Sequence, residues 1–257
     1  MATGAERGPG GPGTRGPDRA QEPAPVREHR PDPAVAHERW ADDGRRVSGG
    51  ARQIAGEAER RTDPVEIIQR CAHRGLTVAT AESLTAGSLA ARLADVPGAS
   101  ATLVGGVVAY CNPVKHQLLG VDENVLEERG AVDPAVAAAM ARGAAGATGA
   151  ALGVSTTGVA GPEPHEGKDV GTVYVGLACR KGDAERLGLR LPESCEPDEG
   201  GSSAADAPGA EESWIAGSLL LDLDGDRAAI RDASVEGALK LVEELLLSEP
   251  PGFGDPR

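Results

Sequence analysis

Aromatic residues are almost missing from this chain: two Trp, two Tyr and one Phe stand among 257 residues, although 40% of the residues are hydrophobic. A core without rings has to be assembled from Ala, Val, Leu and Ile. Basic residues are also short, 26 Lys and Arg against 40 Asp and Glu, and the net charge of −14 argues against nucleic acid or an anionic membrane as a partner. Small anionic ligands stay open, because one Arg or a helix terminus holds a phosphate locally. The four cysteines, Cys71, Cys111, Cys179 and Cys195, are far apart and form no C-x-x-C pair. That excludes a zinc knuckle and a disulfide scaffold and makes a reducing cytoplasm the simplest compartment. No apolar run approaches the ~18 residues of a membrane span, and no apolar signal segment follows the first residues. Metal-ligand spacing is missing too, and so are the P-loop, the G-x-G-x-x-G fingerprint and the G-x-S-x-G elbow, so the expected site uses neither metal nor cofactor.

Residues 1–60 are rich in Pro, Gly, Arg and Ala with scarcely a large apolar side chain. Such a stretch cannot bury enough surface to offset its ordering entropy and is expected to be disordered, as is the tail 249–257. Residues 62–248 read as one layered α/β domain. Asp63-Pro64-Val65-Glu66 is a helix start with Asp as cap, Pro at the first position and Glu at the third; Val65, Ile67, Ile68 and Cys71 supply its apolar face and Gly75 its stop. A strand over 76–81, a turn at Ser83 and a helix to about 95 follow. Residues 103–110 predict a buried strand whose Gly105 and Gly106 allow close backbone approach. Helices are predicted over 112–120, 122–129 and 133–148, the last Ala-rich and suited to close packing on a sheet. Strands follow over 152–156 and 170–178. An acidic stretch, about 182–213, predicts a flexible insertion. A last strand over 219–223 precedes a helix from Asp226 to Leu247 with Ile230, Val235, Ala238, Leu241, Val242 and Leu245 on its apolar face.

Three segments follow the carboxyl ends of strands, where ligand sites gather in open α/β sheets. The first is Ala81-Glu82-Ser83-Leu84-Thr85-Ala86-Gly87. A small, polar turn at a helix start presents amides to an anion or oxyanion, and Ser83 and Thr85 add hydroxyls; an ordinary helix cap is the plainer reading. The second is Tyr110-Cys111-Asn112-Pro113-Val114-Lys115. A lysine just past a buried strand is desolvated, which lowers its pKa and suits it to act as base toward a serine; the plainer reading is a surface lysine on a short helix. The third is the loop Thr157-Gly158-Val159-Ala160-Gly161-Pro162, whose amides can face a ligand. Arg227 and Arg231, four apart at a helix start, suit a phosphate, or else mark a solvated helix end. His116 and His165 are rival bases without a sequence partner.

These segments together resemble the C-terminal domain of the CinA (competence/damage-inducible protein) family. The matching residues run in order through Ala81–Gly87, Asp95-Val96-Pro97-Gly98-Ala99-Ser100, Gly106-Val107-Val108-Ala109-Tyr110-Cys111-Asn112 with Lys115, Leu119-Gly120-Val121, Arg129-Gly130-Ala131-Val132, Thr157–Pro162, Val170-Gly171-Thr172-Val173-Tyr174 and Gly225-Asp226-Arg227 with Ile230-Arg231. The resemblance implies a three-layer α/β/α domain with a mixed sheet, a homo-oligomer such as a dimer, and a Ser/Lys amidohydrolase that converts nicotinamide mononucleotide to nicotinate mononucleotide and ammonia. It implies Ser83 as nucleophile, Lys115 as base and Tyr110 as the orienting or proton-relaying hydroxyl. Thr85, Ala86, Gly87 and Asn112 would lie beside this small-molecule nucleotide, and Thr157, Gly158, Gly161, Arg227 and Arg231 would help bind it. A non-catalytic nucleotide-binding module and an amidase for a related amide are the alternatives. Longer family members carry a domain resembling molybdopterin-binding proteins; its length and pattern are missing here, so its activities are not expected. The family's usual T-G-G is Thr85-Ala86-Gly87, its Y-S-N is Tyr110-Cys111-Asn112, and its G-P-G-G is Gly161-Pro162-Glu163-Pro164. A methyl at Ala86 would strain a position that requires positive φ, and Glu163 would repel a nearby phosphate.

Overall fold

The computed structural model describes Met1, Gly4, 61–198 and 213–248. Contacts divide the chain into Met1–Gly56 and Glu57–Arg257, and every element of secondary structure among the described residues lies in the second unit. Apart from Met1 and Gly4, the stretches 1–60 and 249–257 for which disorder is expected fall outside the described residues.

Helix α1 (Pro64–Arg74) starts where the sequence places it. The Asp63 carboxylate accepts from the Val65 amide, Pro64 occupies the first turn, and Gly75 closes the helix in the left-handed region at φ 64°. Ile67, Ile68 and Cys71 are buried, but Val65 is exposed, so the apolar face is narrower than expected. The chain continues through β1 (Val78–Glu82), α2 (Ser88–Ala94), β2 (Leu103–Val108), α3 (Asn112–Leu119), α4 (Glu123–Arg129), α5 (Pro134–Thr148), β3 (Leu152–Gly158), β4 (Thr172–Arg180), α6 (Lys181–Leu187), β5 (Glu196–Pro197), β6 (Trp214–Asp222) and α7 (Arg227–Leu247). The sheet order is β2-β1-β3-β4-β6-β5. β1 runs parallel to β2 and β3, and the remaining pairs are antiparallel, which makes the sheet mixed. Helix α5, with α3 and α4 against it, covers one face; α1, α2 and α7 pack together on the other. The architecture is thus the three-layer α/β/α domain that the sequence led us to expect.

Two expectations are corrected. The strand over 103–110 is not buried: β2 is the sheet edge, ends at Val108 and leaves Val104 and Val108 about half exposed. An apolar run does not separate a two-sided interior strand from an edge strand. The stretch from Gly182 does not begin as a flexible insertion either. It lies in α6, and Ala184, Leu189 and Cys195 are buried in the main apolar cluster before β5 pairs with β6. Asp198 adds an ion pair to Arg142 of α5. Residues 199–212 lie outside the described residues.

The shortage of aromatics is met by close approach. Helix α5 is buried on nearly every side, from Val136 to Ala145. Where it crosses the sheet, the strands carry glycine: a Cβ on Gly153 would lie 2.8 Å from the Ala141 carbonyl carbon and nearer still to its oxygen, and one on Gly176 would lie 2.5 Å from Ser155 Oγ and closer to Ala137. Ser155 Oγ donates to the Ala137 carbonyl at 2.6 Å, which satisfies a group that a bulkier interface would not reach. On the other face Ile230, Val235, Ala238, Leu241, Val242 and Leu245 of α7 are all buried, as read from the sequence; each large aliphatic among them contributes on the order of 1.5–3 kcal/mol.

Candidate active site

β1 and β2 run parallel, so their carboxyl ends deliver Ser83 and Ala109–Tyr110 to the same edge of the sheet. The chain then turns into α3, whose second turn swings Lys115 back beneath Ser83. Lys115 is only 1% exposed, and its Nζ donates to Ser83 Oγ at 3.3 Å and to the Ala109 carbonyl at 2.9 Å. Burial lowers the Lys115 pKa from the ordinary 10.5, while the nearby Cys111 and Glu166 act to raise it. A bond between the Ala109 amide and the Glu82 carbonyl, at 2.8 Å, keeps the two strand ends in register, and the Ser83 amide donates to the Thr156 carbonyl at 2.9 Å.

Ser83 is half-buried and opens onto a cleft of about 840 Å³, within the usual range for a small-molecule site. Tyr110, Asn112, Lys115, Thr157, Gly158, Gly161 and Arg227 line the cleft with it. Tyr110 is 56% exposed and its hydroxyl accepts from Arg227 at 2.8 Å, while a second Arg227 nitrogen donates to the Gly161 carbonyl at 2.7 Å. Thr157 is turned inward and donates to the Ala131 carbonyl at 2.7 Å.

Thr85, Ala86, Gly87 and Arg231 do not line the cleft. Thr85 is fully buried and its hydroxyl pairs with that of Thr156 at 2.7 Å. The amides expected to face a ligand are already engaged. The Ala86 amide donates to the Ser83 carbonyl, and the Gly87 amide donates to the carboxylate of Glu82 at 2.8 Å. That carboxylate, 1% exposed, also accepts from Leu89 at 3.0 Å, Ala90 at 2.8 Å and Thr80 Oγ1 at 3.3 Å. An internal anion thus fills the head of α2, where the sequence suggested a substrate group. Arg231 lies away from the cleft lining and donates to the carbonyls of Leu84 (2.9 Å) and Thr85 (3.0 Å) and to Ser88 Oγ, clamping the serine turn from behind. The methyl at Ala86 does sit at positive φ, 52°. Leu84, Ala160 and Gly161 line the cleft, as do Tyr110 and Cys111, and among the described residues none of these amides makes a backbone hydrogen bond.

Two residues escaped the sequence reading. Glu82 reads as one more acid in a polar turn until its four bonds are seen. Glu166 lines the cleft, adopts φ 48°, and accepts from the Ala131 amide at 2.6 Å; only the neighbouring Gly167 and Gly130 hint at an unusual backbone. Of the histidines, His116 turns its Nδ1 to the Val121 carbonyl, and His165 lies at the rim with Nε2 3.7 Å from Glu166 Oε1. No helix among the described residues is long and apolar enough to cross a membrane.

The family model described as the CinA C-terminal domain matches residues 62–196. A CinA-like protein of Frankia casuarinae is 43% identical over 177 residues, 69% of this chain and 33% of that protein. Another, from Synechocystis, is 51% identical over 119 residues, 46% of this chain and 29% of that protein. The chain thus spans about a third of the length of the curated relatives it matches. Among solved structures, the competence/damage inducible protein CihA of Agrobacterium tumefaciens superposes with a TM-score of 0.54 at 29% identity, covering 71% of this chain and 95% of that one. A CinA superfamily protein from Escherichia coli gives 0.56 at 24% identity, over 75% and 95% of the two chains, a likeness of fold.

Proposed function

The chain belongs to the CinA C-terminal domain family, and from that premise we propose that it is a Ser/Lys amidohydrolase that deamidates nicotinamide mononucleotide to nicotinate mononucleotide and ammonia. The observation that carries this reading is the contact of 3.3 Å between the buried Lys115 amine and the Ser83 hydroxyl at the floor of the cleft.

In its neutral form Lys115 takes the Ser83 proton as Oγ attacks the carboxamide carbon. The C–N bond breaks as Lys115 returns that proton to the leaving nitrogen, and ammonia departs. Water, deprotonated by the same amine, cleaves the acyl ester and restores Ser83. Because Glu82 occupies the head of α2, we assign the oxyanion to the unengaged amides of the lining, Leu84, Ala160 and Gly161 among them; one such donor is worth about 2.7–4 kcal/mol in comparable sites. Tyr110, held by Arg227, orients the substrate, and the exposed Arg227 guanidinium meets the phosphate.

The deciding experiment is ammonia release from nicotinamide mononucleotide by the purified chain. Saturable binding of the nucleotide without ammonia from pH 6 to 9 would instead make this a binding module. Two variants test the division of labour. Arg227→Ala should raise KM about 5–10-fold for the mononucleotide and much less for the riboside, which has no phosphate; equal losses on both remove Arg227 from phosphate binding. Arg231→Met should lower kcat on the order of tenfold with KM nearly unchanged, because it loosens the serine turn without touching the substrate. A KM effect alone would return Arg231 to the phosphate role.

A further inference from the structure

We infer that Glu166 makes this site selective for amides borne on a positively charged ring, an inference that rests on the amidohydrolase reading and names the electronic form of its substrate. Glu166 follows His165 in the loop where the family's usual glycines are replaced, and it holds a conformation that a non-glycine residue adopts at a cost, φ 48°. Three neighbours hold it in place. Its Oε2 accepts from the Ala131 amide at 2.6 Å. Gly130 leaves room for it, since a Cβ there would lie 3.2 Å from the Glu166 carboxyl carbon and closer still to Oε2. His165 stands 3.7 Å from the other oxygen. The carboxylate is thereby fixed in the cleft wall.

From there it reaches the reacting end. Glu166 lines the same cleft as Ser83 and Lys115, and Lys115 Nζ is 3.3 Å from the attacking oxygen. An amide carbon in reach of Ser83 places its ring in the same field. Glu163, exposed in the same loop, adds a second negative charge to the lining. Arg227 is anchored elsewhere, on Tyr110 and the Gly161 carbonyl. A ligand that is only anionic is poorly matched to this distribution. A zwitterion is well matched: a phosphate for Arg227 and a cationic ring for Glu166. Nicotinamide mononucleotide is such a zwitterion. Its dihydro form keeps the carboxamide, ribose and phosphate but carries a neutral ring.

Calorimetric binding of the two forms to the full chain tests this, in a Ser83→Ala background that prevents turnover. The oxidised form should bind about 2–5-fold more tightly, the range open to a partly exposed charge pair. Glu166→Gln, which keeps the acceptor for Ala131, should bring the ratio close to one by weakening the oxidised form alone. Raising salt from about 0.05 to 0.5 M should shrink the ratio without any change at Glu166. Equal binding of both forms, a ratio unmoved by Glu166→Gln or by salt, or binding of neither form overturns the inference. If the preference is present and the wild-type chain releases no ammonia, the amidohydrolase reading falls and the charge selectivity stands.

Discussion

Ser83→Ala and Lys115→Met should each reduce ammonia release by at least ~10³-fold, and the double variant should be hardly worse than either alone, because nucleophile and base act as one unit. The loss should fall on kcat, with binding of the nucleotide retained. Lys115→Arg should not rescue, since a guanidinium stays protonated at any working pH and cannot take the serine proton. The pH profile gives an independent check. The base works only when neutral, so kcat should rise with pH as Lys115 loses its proton. Burial lowers the Lys115 pKa below 10.5, so the midpoint of that rise should lie below the value for a free lysine. Glu166 acts in the opposite direction, so Glu166→Gln should move the midpoint further down. Full activity in Ser83→Ala eliminates the covalent route, and a rise centred at 10.5 or above eliminates Lys115 as a buried base.

Gly153→Ala and Gly176→Ala should each cost roughly 3–5 kcal/mol, above the ~1–3 kcal/mol usual for overpacking because the clash is with backbone. A methyl at either position runs into the main chain of α5, at Ala141 or at Ala137, and a helix buried on nearly every side has nowhere to retreat. With total stabilities of about 5–15 kcal/mol for domains in general, the double variant should not fold. Gly105→Ala is the control: its added carbon would meet only Thr148 Cγ2 at an ordinary 3.5 Å, and it should change stability by less than about 1 kcal/mol. Urea denaturation of the three single variants decides the matter. Equal, small losses at Gly153 and Gly105 would mean that α5 can shift away from the sheet.

Much of this was legible in the sequence because the relevant interactions are local. Asp63 and Asp226 accept from amides two and three residues on, Gly75 donates back to the Ala72 carbonyl, and the apolar face of α7 follows from helical spacing. That Ser83 and Lys115 belong to one site followed from both lying just past strand ends. Their meeting within hydrogen-bond reach depends on the return of α3 beneath β1, which no spacing states. The misreadings have the same origin. Whether the amides of a helix start are free depends on what else reaches them, and here Glu82 reaches them from the preceding strand. Arg231 looks like a ligand residue until the turn whose carbonyls it binds is in view. β2 reads as interior because pairing on only one side leaves no trace in composition. The acidic character of 182–198 concealed a helix in which only Ala184 is buried, and the buried Leu189 and Cys195 that follow it.

The carboxylate at the head of α2 has a bearing on inhibitor chemistry. A boronate or aldehyde warhead closing on Ser83 gains a negative oxygen that needs donors at once. The helix behind the serine has none to spare, because its dipole is already neutralised from inside the protein. Tight adducts are therefore those whose shape turns that oxygen toward the wall formed by residues 158–161, and extending a scaffold toward α2 gains nothing, because the amides there are sealed on Glu82.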